Sequence, residues 1–178
     1  MKSILISIKP EWVAKILNYE KFIEIRKTMP KCDFPIDVYI YCTKGKPRIV
    51  DLRDDAFYLG CSPRLNGKVV AKFTLNKVEE IKFNDKNIQE QSCLSEDELF
   101  NYLFDNTPYQ EDMRKGYAWH IDNLEIFDKP KELKEFYMVG KMQSYKDCQH
   151  LLSKNDEKYY KLTKAPQNYV FIETEELK

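Results

Sequence analysis

A lysine, a glutamate and an arginine stand close together near the N-terminus, at Lys21, Glu24 and Arg26. In an extended chain, residues two apart point to the same side, so Glu24 and Arg26 share one face and Lys21 lies in the turn before them. A guanidinium suits a base edge or a phosphate, a carboxylate accepts from an amino group, and an ammonium supplies positive charge. The trio could therefore recognise a nucleobase and its phosphate. The alternative is an ordinary surface ion pair between Glu24 and Arg26, worth under about 1 kcal/mol, and spacing alone favours it.

Four other side chains are of types that could contact a nucleotide or carry a proton. Lys9 ends the first predicted strand and could line the same cleft, although a solvated lysine is the default interpretation. Trp119 could stack on a base, but its strand position favours core packing. His120 alternates to the opposite face and has no evident acid partner in the sequence. Gln167 could contact a base edge with its amide or bind a loop backbone equally well.

Alternating apolar residues predict the strands that would position these side chains. Strand patterns cover residues 1–8, 22–27, 37–43, 68–83, 117–127 and 167–173. Pro10 suits the first turn of a helix over residues 10–18. A capping box, Ser95 with Glu98 three residues later, begins a second helix near residues 95–105. Pro130 is expected to end the strand before it.

The order of these elements predicts an α+β fold. About six strands with two to four helices do not alternate regularly, which disfavours a doubly wound parallel sheet. A small mixed or antiparallel β-barrel with flanking helices fits the pattern better. No linker or repeat divides the chain, so residues 1–178 are predicted to form one domain. Residues 137–165 are predicted to be a variable excursion before the last strand, partly helical around Tyr145–Leu152.

The charged segment resembles the signature of ASCH domains, Gly-x-Lys-x-x-Glu-x-Arg. Lys21, Glu24 and Arg26 match its lysine, glutamate and arginine. Tyr19 stands at the glycine position, and Asn18 is expected to take over the backbone role of that glycine.

Other segments resemble the same family in the same order and cover most of the chain. They are residues 7–10, 67–71, 117–121, 129–133 and 165–169. In the last of them, Asn168 and Tyr169 replace the commoner Ser and Trp. The chain is also similar to small phage and Firmicutes members of the family.

The resemblance implies a PUA-like fold and, by kinship, binding of RNA or of a modified nucleoside in a cleft beside the motif. No cofactor is expected, and two histidines with five scattered cysteines do not complete a convincing set of zinc ligands. The residues expected to contact the ligand are Lys9, Lys21, Glu24, Arg26, Trp119 and Gln167.

Two other functions stay open at this point. Some ASCH-like proteins are amidohydrolases that remove the acetyl group of N4-acetylcytidine with a lysine, a threonine and a glutamate. Under that enzyme alternative, Lys21 and Glu24 would be the catalytic residues. However, Glu24 falls at the threonine position, so the hydroxyl nucleophile is missing, and nothing places Thr28 or Thr43 in its stead. A metal-assisted or general acid–base nuclease that uses Glu24 and Lys21 is a further enzyme possible within the family. The third alternative is a non-catalytic protein-interaction module, with residues 137–165 covering the cleft.

Composition limits the mode of nucleic-acid binding. The chain has 178 residues with 29 basic and 29 acidic side chains, and a net charge of zero argues against binding by bulk electrostatics. Residues 1–83, however, carry 16 basic and 10 acidic side chains, a net charge of +6 that the remaining residues cancel. A local positive face around the motif is therefore consistent with overall neutrality. The five scattered cysteines and the lack of a long apolar run predict a cytoplasmic protein with reduced thiols and no membrane partner.

Overall fold

The computed structural model describes residues 2–50, 64–81, 85–104, 115–139, 151–154 and 157–174. The chain divides into two compact units. The first unit comprises Met1–Ala14, Asp37–Phe73 and Leu124–Lys178, and the second comprises Lys15–Ile36 and Thr74–Asn123. The organisation of residues 1–178 as one domain remains a prediction.

Strands outnumber helices among the described elements. In chain order these are β1 (Lys2–Ile8), α1 (Pro10–Leu17), β2 (Ile23–Arg26), β3 (Ile36–Cys42), β4 (Val69–Leu75), β5 (Val78–Glu80), α2 (Lys86–Ser92), α3 (Glu96–Phe104), β6 (Tyr117–His120), β7 (Asp122–Lys131), a 3-10 turn (Leu133–Glu135), β8 (Tyr137–Val139), β9 (Leu151–Lys154), β10 (Glu157–Lys161) and β11 (Tyr169–Glu173). The longest described helix, α3, has nine residues, and no described helix is long and apolar enough to span a membrane.

The first unit contains most of an eight-stranded sheet with the order β7-β4-β3-β1-β11-β8-β10-β9. Strand β1 pairs in parallel with β3, where Ile6 lies opposite Ile40, and antiparallel with β11. One hydrophobic cluster of this unit gathers large side chains from several strands. Its fully or nearly fully buried members are Leu5, Tyr41, Val69, Phe127, Phe136, Leu162 and Ile172.

The second unit contains a three-stranded antiparallel sheet with the order β2-β6-β5, together with α2 and α3. Alternate residues of β2, Ile23 and Ile25, are buried in the hydrophobic cluster of this unit. Helix α3 contributes Leu99 and Leu103 to the same cluster. Because the side chains of a strand alternate between its two faces, Glu24 and Arg26 project from the face opposite to Ile23 and Ile25.

The structure is α+β with three described helices, as predicted, but it corrects the prediction of a six-stranded barrel. Six of the seven described pairings with a given direction are antiparallel. The larger sheet ends at the edge strands β7 and β9 and does not close among the described residues. The physical reason lies in residues 137–165, where β8 pairs with β11, β10 pairs with β8, and β9 pairs with β10, so that the sheet extends outward from β11. Leu151 and Leu152 lie in β9 and are not helical, whereas residues 145–150 lie outside the described residues.

Three further boundaries differ from the predictions. The extended run at residues 68–83 is two strands, β4 and β5, which belong to different sheets, and residues 82–84 lie outside the described part of the chain. The extended run at residues 117–127 is two strands, β6 and β7, separated at Ile121, and Asn123, the second residue of β7, has a positive φ of 48°. Strand β7 then continues through Pro130 to Lys131. Proline lacks the N–H that a central strand requires, but β7 is an edge strand, where this loss is tolerated.

Helix α2 was not predicted because Lys86–Ser92 has little apolar periodicity. The carboxylate of Asp85 starts it by accepting hydrogen bonds from the backbone N–H groups of Asn87 and Ile88, at 3.0 and 3.3 Å. By contrast, the predicted capping box of α3 is confirmed, since the backbone N–H of Glu98 donates to Ser95 Oγ at 3.2 Å and Ser95 N–H donates to Glu98 Oε2 at 2.9 Å.

Candidate functional site

The turn between α1 and β2 fixes the position of Lys21. Tyr19 has a φ of 58°, in the left-handed region that normally favours glycine. The backbone N–H groups of Glu20 and Lys21 both donate to the carbonyl of Lys15, at 2.9 and 3.2 Å, and so close the end of the helix. Tyr19 therefore adopts the glycine-like conformation itself, which corrects the expectation that Asn18 would assume this role.

Strand β2 brings Glu24 and Arg26 to one face of the three-stranded sheet. In the antiparallel pairing with β6, Glu24 lies opposite Trp119 and Arg26 lies opposite Tyr117. Directly opposed residues share a face, so the charged pair and the tryptophan lie on the same side of the sheet. The indole of Trp119 is fully buried.

The three charges of the motif form one buried cluster in the second unit. Arg26 Nη2 lies 3.1 Å from Glu24 Oε1, and Lys21 Nζ lies 3.5 Å from Glu24 Oε2. The side chains of Lys21, Glu24 and Arg26 are only 2%, 9% and 9% exposed. The interpretation as an ordinary surface ion pair is therefore wrong. One carboxylate contacts two cations, so the cluster carries a net charge of +1 when all three groups are ionised.

The ammonium of Lys21 also interacts with the end of α2. Its Nζ donates to the backbone carbonyl of Ser92 at 2.7 Å. Ser92 is the last residue of that helix, where carbonyls lack a partner within the helix and positive charge is favoured. Burial lowers the pKa of Lys21 below the ordinary lysine value, and the adjacent Glu24 carboxylate only partly opposes that effect. A buried lysine with a lowered pKa gives up its proton more readily than a solvated one.

A tyrosine and a lysine of the second unit that contact each other were missed by the sequence analysis. Tyr102 of α3 is 40% exposed, and Lys27 Nζ lies 5.3 Å from the centroid of its ring. Burial raises the pKa of the Tyr102 hydroxyl, which also feels the charges of Arg26 and Glu24. The raised pKa and the partial exposure of Tyr102 are compatible, because the hydroxyl group can be buried while part of the ring is exposed to solvent. The amphipathic pattern of α3 gave no sign of this proximity, because it depends on tertiary packing.

Solved structures of an ASCH protein from Zymomonas mobilis resemble this chain. The structure titled ASCH from that organism has a TM-score of 0.51 at 19% sequence identity, covering 74% of this chain and 73% of the other. A tyrosine-to-phenylalanine variant gives 0.50 at 18% identity over 75% and 77% of the two chains, and a serine-to-alanine variant gives 0.50 at 20% over 75% and 78%. The chain has the fold of an ASCH domain. No protein-family model matches the sequence, and no curated protein sequence matches it significantly.

The structural likeness confirms the predicted ASCH resemblance at the level of the fold. The more specific similarity to phage and Firmicutes members remains a prediction. The three residues that match the ASCH signature, Lys21, Glu24 and Arg26, lie together in the structure, because Glu24 contacts both of the others.

The other candidate ligand residues are placed differently. Trp119 is 0% exposed and lies opposite Glu24 on the neighbouring strand, and its contact with a base remains a prediction. Lys9 and Gln167 are exposed residues of the first unit. The carbonyl of Lys9 accepts from Trp12 and Val13 and so begins α1, whereas Gln167 lies in a bend just before β11. Their participation in the site remains a prediction.

His120 has an acid partner that the sequence did not reveal. Its Nε2 lies 2.6 Å from Glu79 Oε1 on the neighbouring strand β5, and Lys77 Nζ lies 2.8 Å from the other oxygen of Glu79. Hydrogen bonding from Lys77, with a further contribution from His120, lowers the pKa of Glu79. His120 and Glu79 are 41 positions apart in the chain, and the pairing of β5 with β6 brings them together.

The described residues suggest no metal centre, because no group of three or more His, Cys, Asp or Glu side chains among them has a ligand-like arrangement. Thr28, considered above as a nucleophile, is an exposed residue beyond the end of β2. Thr43 belongs to the first unit, where its backbone N–H donates to the carbonyl of Ile8 at 2.9 Å.

Proposed function

We propose that the Lys21–Glu24–Arg26 cluster recognises one nucleotide of RNA, or a modified nucleoside, in a small cleft beside the three-stranded sheet. The observation that carries this proposal is the burial of all three charged side chains around the single carboxylate of Glu24. A buried ion pair costs desolvation that its mutual attraction does not always offset, so burial of three charges is weakly explained by stability alone. Recognition of a polar ligand would give the cluster a use.

The chemistry of the three groups fits a nucleotide. The guanidinium of Arg26 presents planar donors to a base edge or a phosphate, and Glu24 can accept from an exocyclic amino group. Lys21 adds a positive charge and so supports an anionic or carbonyl-rich ligand. The ASCH fold of the chain is consistent with this ligand class, although a shared fold does not by itself fix a function.

Overall neutrality restricts the proposed mode of binding. With 29 basic and 29 acidic side chains, the chain is unsuited to a broad electrostatic contact along many phosphates. A shaped cleft that contacts one or a few nucleotides satisfies this constraint, and the cytoplasm is the compartment we propose for it.

A charge-conserving variant tests the proposal with little disturbance of the fold. Arg26→Lys keeps the ion pair to Glu24 but removes the planar donors, so the affinity for a short single-stranded RNA should fall about tenfold. Arg48→Lys is the matched control because Arg48 is an exposed residue of the first unit. Fluorescence anisotropy with a labelled random-sequence RNA octamer measures both. Equal affinities of the two variants would refute recognition by Arg26.

One observation favours a second candidate function, hydrolysis of a nucleoside amide such as N4-acetylcytidine. Burial lowers the pKa of Lys21, and a lysine with a lowered pKa can act as a general base. Glu24 could hold the acyl amide or a water molecule in place. Incubation of the protein with N4-acetylcytidine, followed by chromatography for cytidine, tests this directly. Absence of product at high protein concentration would remove the amidohydrolase.

A further inference from the structure

Tyr102 and Lys27 form an exposed aromatic–cation pair. The Lys27 ammonium lies 5.3 Å from the centroid of the Tyr102 ring, within the range of a cation–π contact. Both residues are exposed, and 40% of Tyr102 is accessible. A solvent-exposed ring beside a positive charge is a combination with which proteins bind single-stranded nucleic acid: the base stacks on the ring and the phosphate contacts the cation.

This pair adjoins the buried charge cluster in two ways. Lys27 directly follows Arg26 in the chain, at the end of β2. The Tyr102 hydroxyl feels the charges of Arg26 and Glu24, which act on it through space. Because side chains alternate along a strand, Glu24 and Arg26 lie on the other face of β2 from Ile25 and α3, so the Tyr102 ring and the buried cluster flank the edge strand β2 on its two sides.

Helix α3 holds the Tyr102 backbone in a fixed position. The capping box of Ser95 and Glu98 starts the helix, and Leu99 and Leu103 anchor it in the hydrophobic cluster at 0% and 1% exposure. Leu99 is three residues before Tyr102 and Leu103 is one residue after it, so buried leucines on both sides of Tyr102 fix the position of its backbone. Little backbone ordering would be required when a ligand binds, which favours affinity.

We propose that Tyr102 and Lys27 form a second nucleotide subsite, in which a base stacks on the Tyr102 ring and its phosphate contacts Lys27. This inference rests on the proposed function of the Lys21–Glu24–Arg26 cluster, which takes the neighbouring nucleotide. The ligand is then single-stranded RNA of at least two nucleotides, and a free nucleoside fills only half of the site.

Three variants with two probes test the second subsite. The probes are a fluorescein-labelled random-sequence RNA octamer, measured by anisotropy, and a mixture of the four ribonucleoside 5′-monophosphates, measured as its competitor. Tyr102→Leu removes the aromatic face and should weaken octamer binding about 5- to 100-fold while leaving competition by the monophosphates unchanged. Tyr102→Phe keeps the ring and should bind the octamer like the unaltered protein.

Phe100→Leu is the matched control. Phe100 is 50% exposed on the same helix, but it is two residues from Tyr102 and so projects from a different side. If Tyr102→Leu and Phe100→Leu bind the octamer equally well, the second subsite is refuted. Weaker binding of both the octamer and the monophosphates by Arg26→Lys would in that case still support the first subsite. If Arg26→Lys leaves both probes unaffected, or the unaltered protein binds neither, the proposed function fails as well.

Discussion

Replacement of Glu24 by glutamine should destabilise the second unit strongly. Glu24→Gln removes the carboxylate that lies 3.1 Å from Arg26 and 3.5 Å from Lys21. Two buried cations then face each other without a counter-charge. The lowered pKa of Lys21 should fall further, since the Glu24 carboxylate is what raises it against the effect of burial.

The expected magnitude follows from the distances and the burial. At an effective dielectric constant of about 20, each of the two pairs has a Coulomb attraction of about 5 kcal/mol, which sets the gross scale. Desolvation and relaxation offset much of this, and removal of one partner from a buried pair costs about 3–5 kcal/mol in practice. In a chain of this length that loss lowers the Tm by about 6–20 °C.

Tryptophan fluorescence during urea unfolding measures the effect next to the cluster. The chain has two tryptophans, so a Trp12→Phe background leaves Trp119, the cross-strand neighbour of Glu24, as the only reporter. The control is Glu80→Gln, which removes the partner of Lys115 from an ion pair in which both side chains are more than half exposed. It should produce no measurable change.

The double variant Glu24→Gln with Arg26→Gln sharpens the interpretation. It removes one of the stranded cations together with the carboxylate, so it should be less destabilised than the sum of the two single variants. The reasoning is refuted if Glu24→Gln shifts the urea midpoint no more than Glu80→Gln does.

Three other predictions concern the local geometry of the fold. Tyr19→Gly relieves the strain of a left-handed φ of 58°, worth about 1–2 kcal/mol, but it also raises the conformational entropy of the unfolded chain, which costs up to about 1 kcal/mol of stability. The Tm should therefore stay the same or rise slightly, and a clear fall in Tm would contradict the strain at Tyr19. Gly116→Ala places a Cβ 2.7 and 2.8 Å from Leu103 methyl carbons and should cost about 1–3 kcal/mol in urea unfolding, whereas Gly45→Ala, with its closest contacts at 3.9 Å, should be nearly neutral. Glu79 has a folded-state pKa below its ordinary value of 4.5, so it contributes stability above that pH and loses it as the pH falls through the folded pKa. The difference in urea midpoint between the unaltered protein and Glu79→Gln should accordingly shrink from pH 6 to pH 3; a constant difference would speak against the ionised contact.

Local patterns predicted the elements that carry strong one-dimensional signals. The alternation in β1 and β3, the proline that opens α1 and the Ser95–Glu98 box of α3 were all read from neighbouring residues, and the structure confirms them. The grouping of Lys21, Glu24 and Arg26 followed from the same local logic, because a two-residue strand repeat decides which side chains share a face.

Properties that depend on tertiary packing were beyond that reasoning. The spacing favoured a surface pair, but the charged trio is buried, and the segments next to it are distant in sequence: Ser92 accepts from Lys21, and Trp119 lies opposite Glu24. The contact of Tyr102 with Lys27 requires α3 to pack beside β2, and the contact of His120 with Glu79 requires β5 to pair with β6. The sheet remained open for a similar reason, since three short strands after residue 136 extend it in place of a closing barrel seam.

The salt dependence of RNA affinity tests the central proposal, nucleotide recognition by a small buried cluster, most directly. The affinity of the unaltered protein and of Arg26→Lys for the random-sequence RNA octamer is measured by anisotropy between about 50 and 200 mM KCl, the range over which counterion release changes affinity strongly. Few phosphate contacts imply a shallow slope of log affinity against log salt, of about −1 to −2 for a single strand. Arg26→Lys should have the same slope at about tenfold lower affinity, because its charge is kept and its planar donors are lost. A slope near −4 or steeper, which corresponds to about six released counterions, or an unchanged affinity of Arg26→Lys, would contradict the account.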